Sequence, residues 1–111
     1  MKQWEVIMFP FVEENLHPAV IISIDEICQN GDIATVNALI CSTARATRPA
    51  KAIEEILDEN DGLDWKTLVR CDRIFLLPKA KFKDRKGSVS LERRSLIGRK
   101  IVEAFRLPLQ R

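Results

Sequence analysis

Apolar residues occur as short runs cut by polar turns over most of the chain, and a helical period emerges only near its C-terminus. From Trp4 to Val12, one face of an extended strand carries Trp4, Val6, Met8 and Pro10, and the other carries Ile7, Phe9 and Phe11. A strand that is apolar on both faces is normally covered on both. Glu13-Glu14-Asn15 interrupts the run as a tight polar connection. His17 to Ser23 then resumes it with the β-branched residues of a second strand. So short a link between two strands predicts a hairpin.

Asp25 to Asp32 has no clear period and ends in the turn signal Asn30-Gly31-Asp32. Ile33 to Cys41 reads as a third strand, followed by the polar loop Ser42 to Pro49 with its hydroxyls and two arginines, Arg45 and Arg48. Ala50 to Leu57 fits a short helix and a strand equally well. Asp58 to Asp64 is an acidic turn containing Asp61-Gly62. Beyond it, Lys66 to Cys71 reads as a strand ending at Asp72, and Ile74 to Leu77 as a separate short strand stopped by Pro78. Lys79 to Gly87 reads as a basic loop with Phe82 among its cations. The last segment is helical: Ser90 suits an N-cap and Glu92 the first turn. Ile97, Ile101, Ala104 and Phe105 define one apolar face, with Arg93, Arg94, Arg99 and Lys100 at the polar positions, and Leu107-Pro108 is the expected stop. The sum is a mainly β fold with a C-terminal helix, a small barrel or strongly bent sheet plugged by that helix.

Composition narrows the function. A chain of 111 residues, 46% hydrophobic, suits one domain over 1–111 with a packed core and excludes wholesale disorder. The apolar stretches Pro18 to Ile22 and Ile74 to Pro78 are far shorter than the ~20 residues of a membrane helix. The first residues lack the basic and apolar regions of a signal peptide, so the expectation is a soluble cytoplasmic protein without membrane contact. Three cysteines without a C-x-x-C and a single histidine argue against a disulfide framework or a zinc site, and no metal or cofactor is expected. Charge is uneven: residues 1–64 carry a net −8 and residues 65–111 a net +10. A basic half marks a nucleic-acid or acidic-partner surface, unless the acidic half neutralises it within the fold.

Several motifs fit one family. They are His17-Pro18-Ala19-Val20-Ile21-Ile22 after an apolar strand, a hydroxyl-rich loop after the third strand, Gly62-Leu63-Asp64-Trp65-Lys66-Thr67, and Thr67-Leu68-Val69-Arg70-Cys71-Asp72. Together with the terminal helix they resemble the PemK/MazF (Kid-like) toxins of type II toxin–antitoxin systems. The resemblance implies an SH3-like or CcdB-like β-barrel, a homodimer, and a metal-independent endoribonuclease that cuts single-stranded RNA. It also implies a cognate antitoxin whose acidic tail covers the site. Arg70 and Asp72 match the Arg-Cys-Asp implicated in acid/base chemistry in the Kid branch. His17 stands where many members carry the Arg of an Arg-Pro pair, and Ser42 and Thr43 fall where members place an active-site hydroxyl. The first connection, Val12 to Leu16, is shorter than in most active members and has no Gly.

Metal-free RNA cleavage needs a base for the 2′-hydroxyl, an acid for the leaving 5′-oxygen and a cation for the phosphate. Imidazoles exchange protons near neutral pH, which suits His17, and the planar fork of Arg70 suits a phosphate. Asp72 either orients one of these groups or serves as the base. Ser42, Thr43, Arg45 and Thr67 are candidate substrate contacts. Lys79, Lys81 and Phe82 join them, because bases stack on aromatics while cations hold phosphates. Each group has a plainer reading: a structural histidine, a surface ion pair between residues two apart on one strand face, a solvated hairpin. Cys71, facing the other way, reads as a buried hydrophobe. Two alternatives stay open: a family member that binds RNA or a protein partner without cutting, and a CcdB-like poison of a protein target acting through the helix end, Phe105 to Arg111.

Overall fold

In the computed structural model, which describes residues 1–12 and 15–106, the strands are β1 (Glu5–Val12), β2 (Asn15–Ile21), β3 (Thr35–Cys41), β4 (Glu54–Leu57), β5 (Thr67–Pro78) and β6 (Lys83–Ser88). The helices are α1 (Asp25–Cys28) and α2 (Leu91–Phe105), with short 3-10 turns at Glu59–Asp61 and Lys79–Lys81. All six strands form one curled antiparallel sheet in the order β4-β5-β3-β2-β1-β6. Val12 pairs with Asn15, so β1 and β2 form the expected hairpin. Glu13 and Glu14 of that connection, and the Leu107-Pro108 stop with the rest of 107–111, lie outside the described residues. Among the described residues no helix is long and apolar enough to cross a membrane.

Strand alternation splits the apolar residues into two clusters, one on each face. Val6, Val20, Leu39, Cys41, Val69 and Cys71 meet Ile97 of α2 on the first face. Ile7, Phe9, Ala19, Ile21, Ala38 and Leu77 form the second, with Phe11, Phe75 and Phe82 packed against it. The two-sided pattern of β1 predicts this division.

Of the two readings left open for Ala50 to Leu57, the structure has the strand: a turn, with Glu54 N–H donating to Lys51 O at 2.9 Å, leads into β4. Three expectations need correction. The two strands expected at 66–71 and 74–77 are one strand, β5, carrying an irregularity. Leu39 pairs with Ile74 and Cys41 with Val69, so two steps along β3 answer five along β5. The basic loop 79–87 is a 3-10 turn followed by β6, which pairs with β1. Charged residues carry no apolar period to announce a strand, but the free edge of β1 satisfies their backbone groups. The register slips twice along this pairing, and Asp84 takes a left-handed φ of 49°. Finally, α2 is rotated from its expected face: Ile97 is buried and Ile101 is packed on the core, but Phe105 is exposed.

The rotation has an electrostatic cause. Arg93, expected to point to water, turns to the sheet and donates to Asp58 Oδ1 at 2.7 Å, Asp58 Oδ2 at 3.0 Å and Asp61 Oδ2 at 2.5 Å. Lys100 donates to Glu54 O at 2.6 Å and Glu55 Oε2 at 3.0 Å. Ser90 occupies the N-cap position without a side-chain cap bond. Its own N–H is instead taken by Asp61 Oδ1 at 2.9 Å. These pairs, with Arg85–Glu5, set Glu5, Glu55, Asp58 and Asp61 of the acidic half against Arg85, Arg93 and Lys100 of the basic half, a partial neutralisation within the fold. The 3-10 turn ends at Gly62 with φ 91°, where a Cβ would stand 2.3 Å from Lys86 O and 2.8 Å from Gly87 Cα. Only glycine permits this approach of the turn to β6.

Candidate functional site

On the second face, where α2 does not reach, an open cleft of about 450 Å³ lies between the tip of β1–β2, the loop after β3 and the irregular part of β5. Its floor is apolar, from Phe11, Ile40, Leu68 and Phe75, with Phe11 and Phe75 edge-on at 4.7 Å. Its walls carry His17, Ser42, Arg45, Arg48, Glu54, Arg70 and Arg73.

Each polar side chain is placed by a specific contact. His17 on β2 has its Nδ1 3.0 Å from Cys41 O and its ring edge-on to Phe11. A carbonyl only accepts, so Nδ1 donates to it, and the ring nitrogen left to exchange a proton is Nε2. Arg70 donates from Nε to Asp72 Oδ1 at 2.9 Å and from Nη2 to Asp72 Oδ2 at 2.6 Å. This hydrogen-bonded pairing pushes the arginine further up and holds Asp72 below the usual carboxylate range. Two of the five guanidinium N–H bonds are thereby used, and among the described residues three remain. Arg48 clamps Glu54 in the same bidentate manner, at 2.7 and 2.9 Å, and Lys51 N–H adds a bond at 2.9 Å. The Arg48 clamp, then the Lys51 bond, lower Glu54 to about 2.

The irregularity in β5 creates this grouping. Before it, Val69 and Cys71 face α2, while Leu68 and Arg70 face the cleft. After it, Phe75 and Leu77 lie on the cleft side although their numbers have the same parity as Val69. Three extra residues against β3, an odd number, reverse the phase of the strand. Arg70 and Arg73, which strict alternation would put on opposite faces, therefore meet in one cleft.

The fold has counterparts among known proteins. Residues 2–105 match the family described as PemK-like, MazF-like toxin of type II toxin-antitoxin system. The chain belongs to that toxin family. No curated protein matches it. A mycobacterial endoribonuclease solved in complex with its cognate antitoxin is similar with a TM-score of 0.79 and 22% identity, over 99% of each chain. Toxin MazF-mt6 of Mycobacterium tuberculosis is similar at 0.75 and 19% identity, over 94% of this chain and 99% of that one. The MazE–MazF complex of Deinococcus radiodurans is similar at 0.74 and 13% identity, over 97% of each. At these identities the likeness is one of fold.

In this PemK/MazF-like sheet the expected site residues separate. His17, Ser42, Arg45 and Arg70 converge on the cleft, and Asp72 joins through Arg70. Thr43 is exposed on the same loop outside the cleft wall. Thr67 is fully buried; its hydroxyl donates to Ser42 O at 2.6 Å, so it anchors the loop and cannot touch a substrate. Lys79, Lys81 and Phe82 lie elsewhere. Lys79 donates to Ile27 O and Asn30 O at the end of α1, Phe82 packs on Phe9 at 4.9 Å, and Lys81 lines a separate groove beside Pro10 and Leu16. Their sequence appeal rested on a loop that is in fact mostly strand. Cys71 is buried, and burial pushes its thiol up to about 11; burial raises the Cys41 thiol as well. Among the described residues no group of three His, Cys, Asp or Glu side chains is placed to hold a metal ion. Sequence reasoning did not single out Arg48, Glu54 or Arg73, because the long loop closure and the phase reversal that bring them to the cleft leave no period to read.

Proposed function

We propose that this chain is the ribonuclease toxin of its toxin–antitoxin pair, cutting single-stranded RNA at the cleft by attack of a 2′-hydroxyl on the adjacent phosphate. The observation that carries the reading is one cleft holding a histidine whose Nε2 has no hydrogen bond among the described residues, beside an arginine pre-oriented by a carboxylate. His17 Nε2 takes the 2′-hydroxyl proton as the 2′-oxygen bonds to phosphorus. Arg70 directs its remaining N–H groups at the phosphate oxygens, where negative charge grows, and Asp72 holds that guanidinium in place. The bond to the 5′-oxygen breaks, and this oxygen takes a proton from water in the open cleft. The products are a 2′,3′-cyclic phosphate and a 5′-hydroxyl. Guanidinium cations supply the charge neutralisation, so the reaction runs without a metal. DNA lacks the nucleophile and is not cut.

The partners follow from the same cleft. Four arginines in its wall suit the acidic tail of a cognate antitoxin, which would compete with RNA. We propose a homodimer as well, which fits the exposed Leu91, Val102 and Leu76. The two-residue β1–β2 connection favours a second reading, a module that grips RNA without cutting it. Incubation with a long single-stranded RNA in EDTA decides between them. Discrete cuts ending in a cyclic phosphate, absent in H17A and R70A, establish the ribonuclease. A gel shift without cutting establishes the binding module.

A further inference from the structure

Two kinds of arginine stand in the cleft. Arg48 and Arg70 are each engaged by a carboxylate through two hydrogen bonds. Arg45 and Arg73 are exposed and have no hydrogen bond or ion pair among the described residues. Gathering unpaired cations beside other cations raises the energy of the empty site and is relieved when an anion enters. A single phosphate does not need all of them, because Arg70 already presents three free N–H donors to it. Arg73 is three residues along β5 from Arg70, up to about 10 Å of extended strand and more than the width of one phosphate. The apolar floor between the arms, with Phe11 and Phe75, offers a surface for a base rather than for another anion.

We propose that Arg73, with Arg45 from the loop after β3, holds the phosphates flanking the scissile one, so that the cleft binds a strand of at least three consecutive phosphates. The proposal rests on the ribonuclease reading for its substrate class. Arg73 acts in positioning, because it sets where along the strand the reacting phosphate sits and takes no part in proton transfer. A substrate with only one phosphate gains nothing from it.

The test separates binding from cutting. Affinity for a 2′-O-methyl RNA decamer, which cannot be cut, is measured by fluorescence anisotropy across a salt series for wild type, R73Q, R45Q, R73K and, as a control for net charge, R99Q, exposed on α2. Each lost phosphate contact should reduce the slope of log K against log salt by about 0.7. R73Q and R45Q are expected to show that reduction, R73K to restore the slope, and R99Q to leave it unchanged. Cleavage of an unmodified decamer by R73Q should fall about tenfold or more in kcat/KM, while cleavage of a dinucleotide stays at the wild-type rate. A wild-type slope in R73Q, or equal losses on dinucleotide and decamer, overturns the assignment and leaves the ribonuclease standing. Wild type that binds with the expected Arg73-dependent slope but cuts nothing supports the strand-binding cleft while sinking the catalytic reading. Wild type that does not bind the decamer overturns both.

Discussion

Two arginine–aspartate clusters in this molecule use the same atoms for opposite purposes. Arg93 sits at the start of α2 with its side chain 20% exposed, wrapped around Asp58 and a fully buried Asp61. Every oxygen of that cluster is committed: Asp61 also takes the N–H groups of Asp58 and Ser90. Arg70 and Asp72, 42% and 31% exposed, are joined by two hydrogen bonds, and among the described residues Arg70 makes no other, which leaves guanidinium donors on the cleft wall. The first cluster ties a turn, a helix and, through Gly62 against Gly87, the edge strand β6 into one corner. The second fixes one side chain and leaves it unsatisfied toward solvent. What separates the two is place: Arg93 is held between two carboxylates at a packed corner, whereas the unused donors of Arg70 stand on the wall of the candidate cleft.

The comparison breaks most readily at Asp61. D61A takes one of the two carboxylates from Arg93, which keeps Asp58, and leaves the N–H groups of Asp58 and Ser90 without their acceptor, with an expected loss of about 2–4 kcal/mol in denaturant unfolding. A loss below about 1 kcal/mol would show that the corner is not held this way. R70A should do the reverse: RNA cleavage falls roughly 10²–10³-fold, while the urea midpoint stays at the wild-type value. A parallel drop in both would merge the two clusters into one structural class. G62A sharpens the corner from its backbone side. A left-handed alanine, with its Cβ against Lys86 O and Gly87 Cα, should cost about 2–4 kcal/mol.

The smallest expected effect is in pH. Glu54 has a folded value of about 2 against an ordinary 4.5, so its stabilisation is present above pH 4.5 and is lost as pH falls toward 2. Asp72 contributes in the same direction and less, being more exposed. E54Q should flatten the acid limb of stability against pH between those values. An unchanged limb in E54Q would place the acid sensitivity in the Asp58 carboxylate at the corner, which Arg93 also lowers.

Legibility followed periodicity. The two faces of β1, the hairpin to β2 and the existence of α2 were readable because apolar residues recur at two or at three to four positions. That His17, Arg70 and Asp72 stand on strands was readable because short motifs carry them there. Strand β6 was not, since its charged residues have no apolar face and its pairing depends on an edge supplied by β1, some eighty residues away. The rotation of α2 was hidden because two of its cations, Arg93 and Lys100, are more stable against buried acceptors than in water. Arg73 was hidden because β5 changes phase, and no count of residues announces a bulge before the partner strand is known.

That change of phase has a consequence for how this chain tolerates insertions and deletions. Residues of like parity before Arg70 and after Arg73, such as Val69 and Phe75, lie on opposite sides of the sheet, and the odd surplus of residues between them is what reconciles the two halves. Removing or adding a single residue there would turn Phe75 and Leu77 toward α2 and set Leu76 in the opposite layer, exchanging the inside of one half-strand for its outside. Removing or adding two would preserve the parity and alter only the reach of the loop that presents the arginines. Length variation in this segment should therefore come in pairs, a rule written in the geometry of β5 rather than in the identity of any residue it carries.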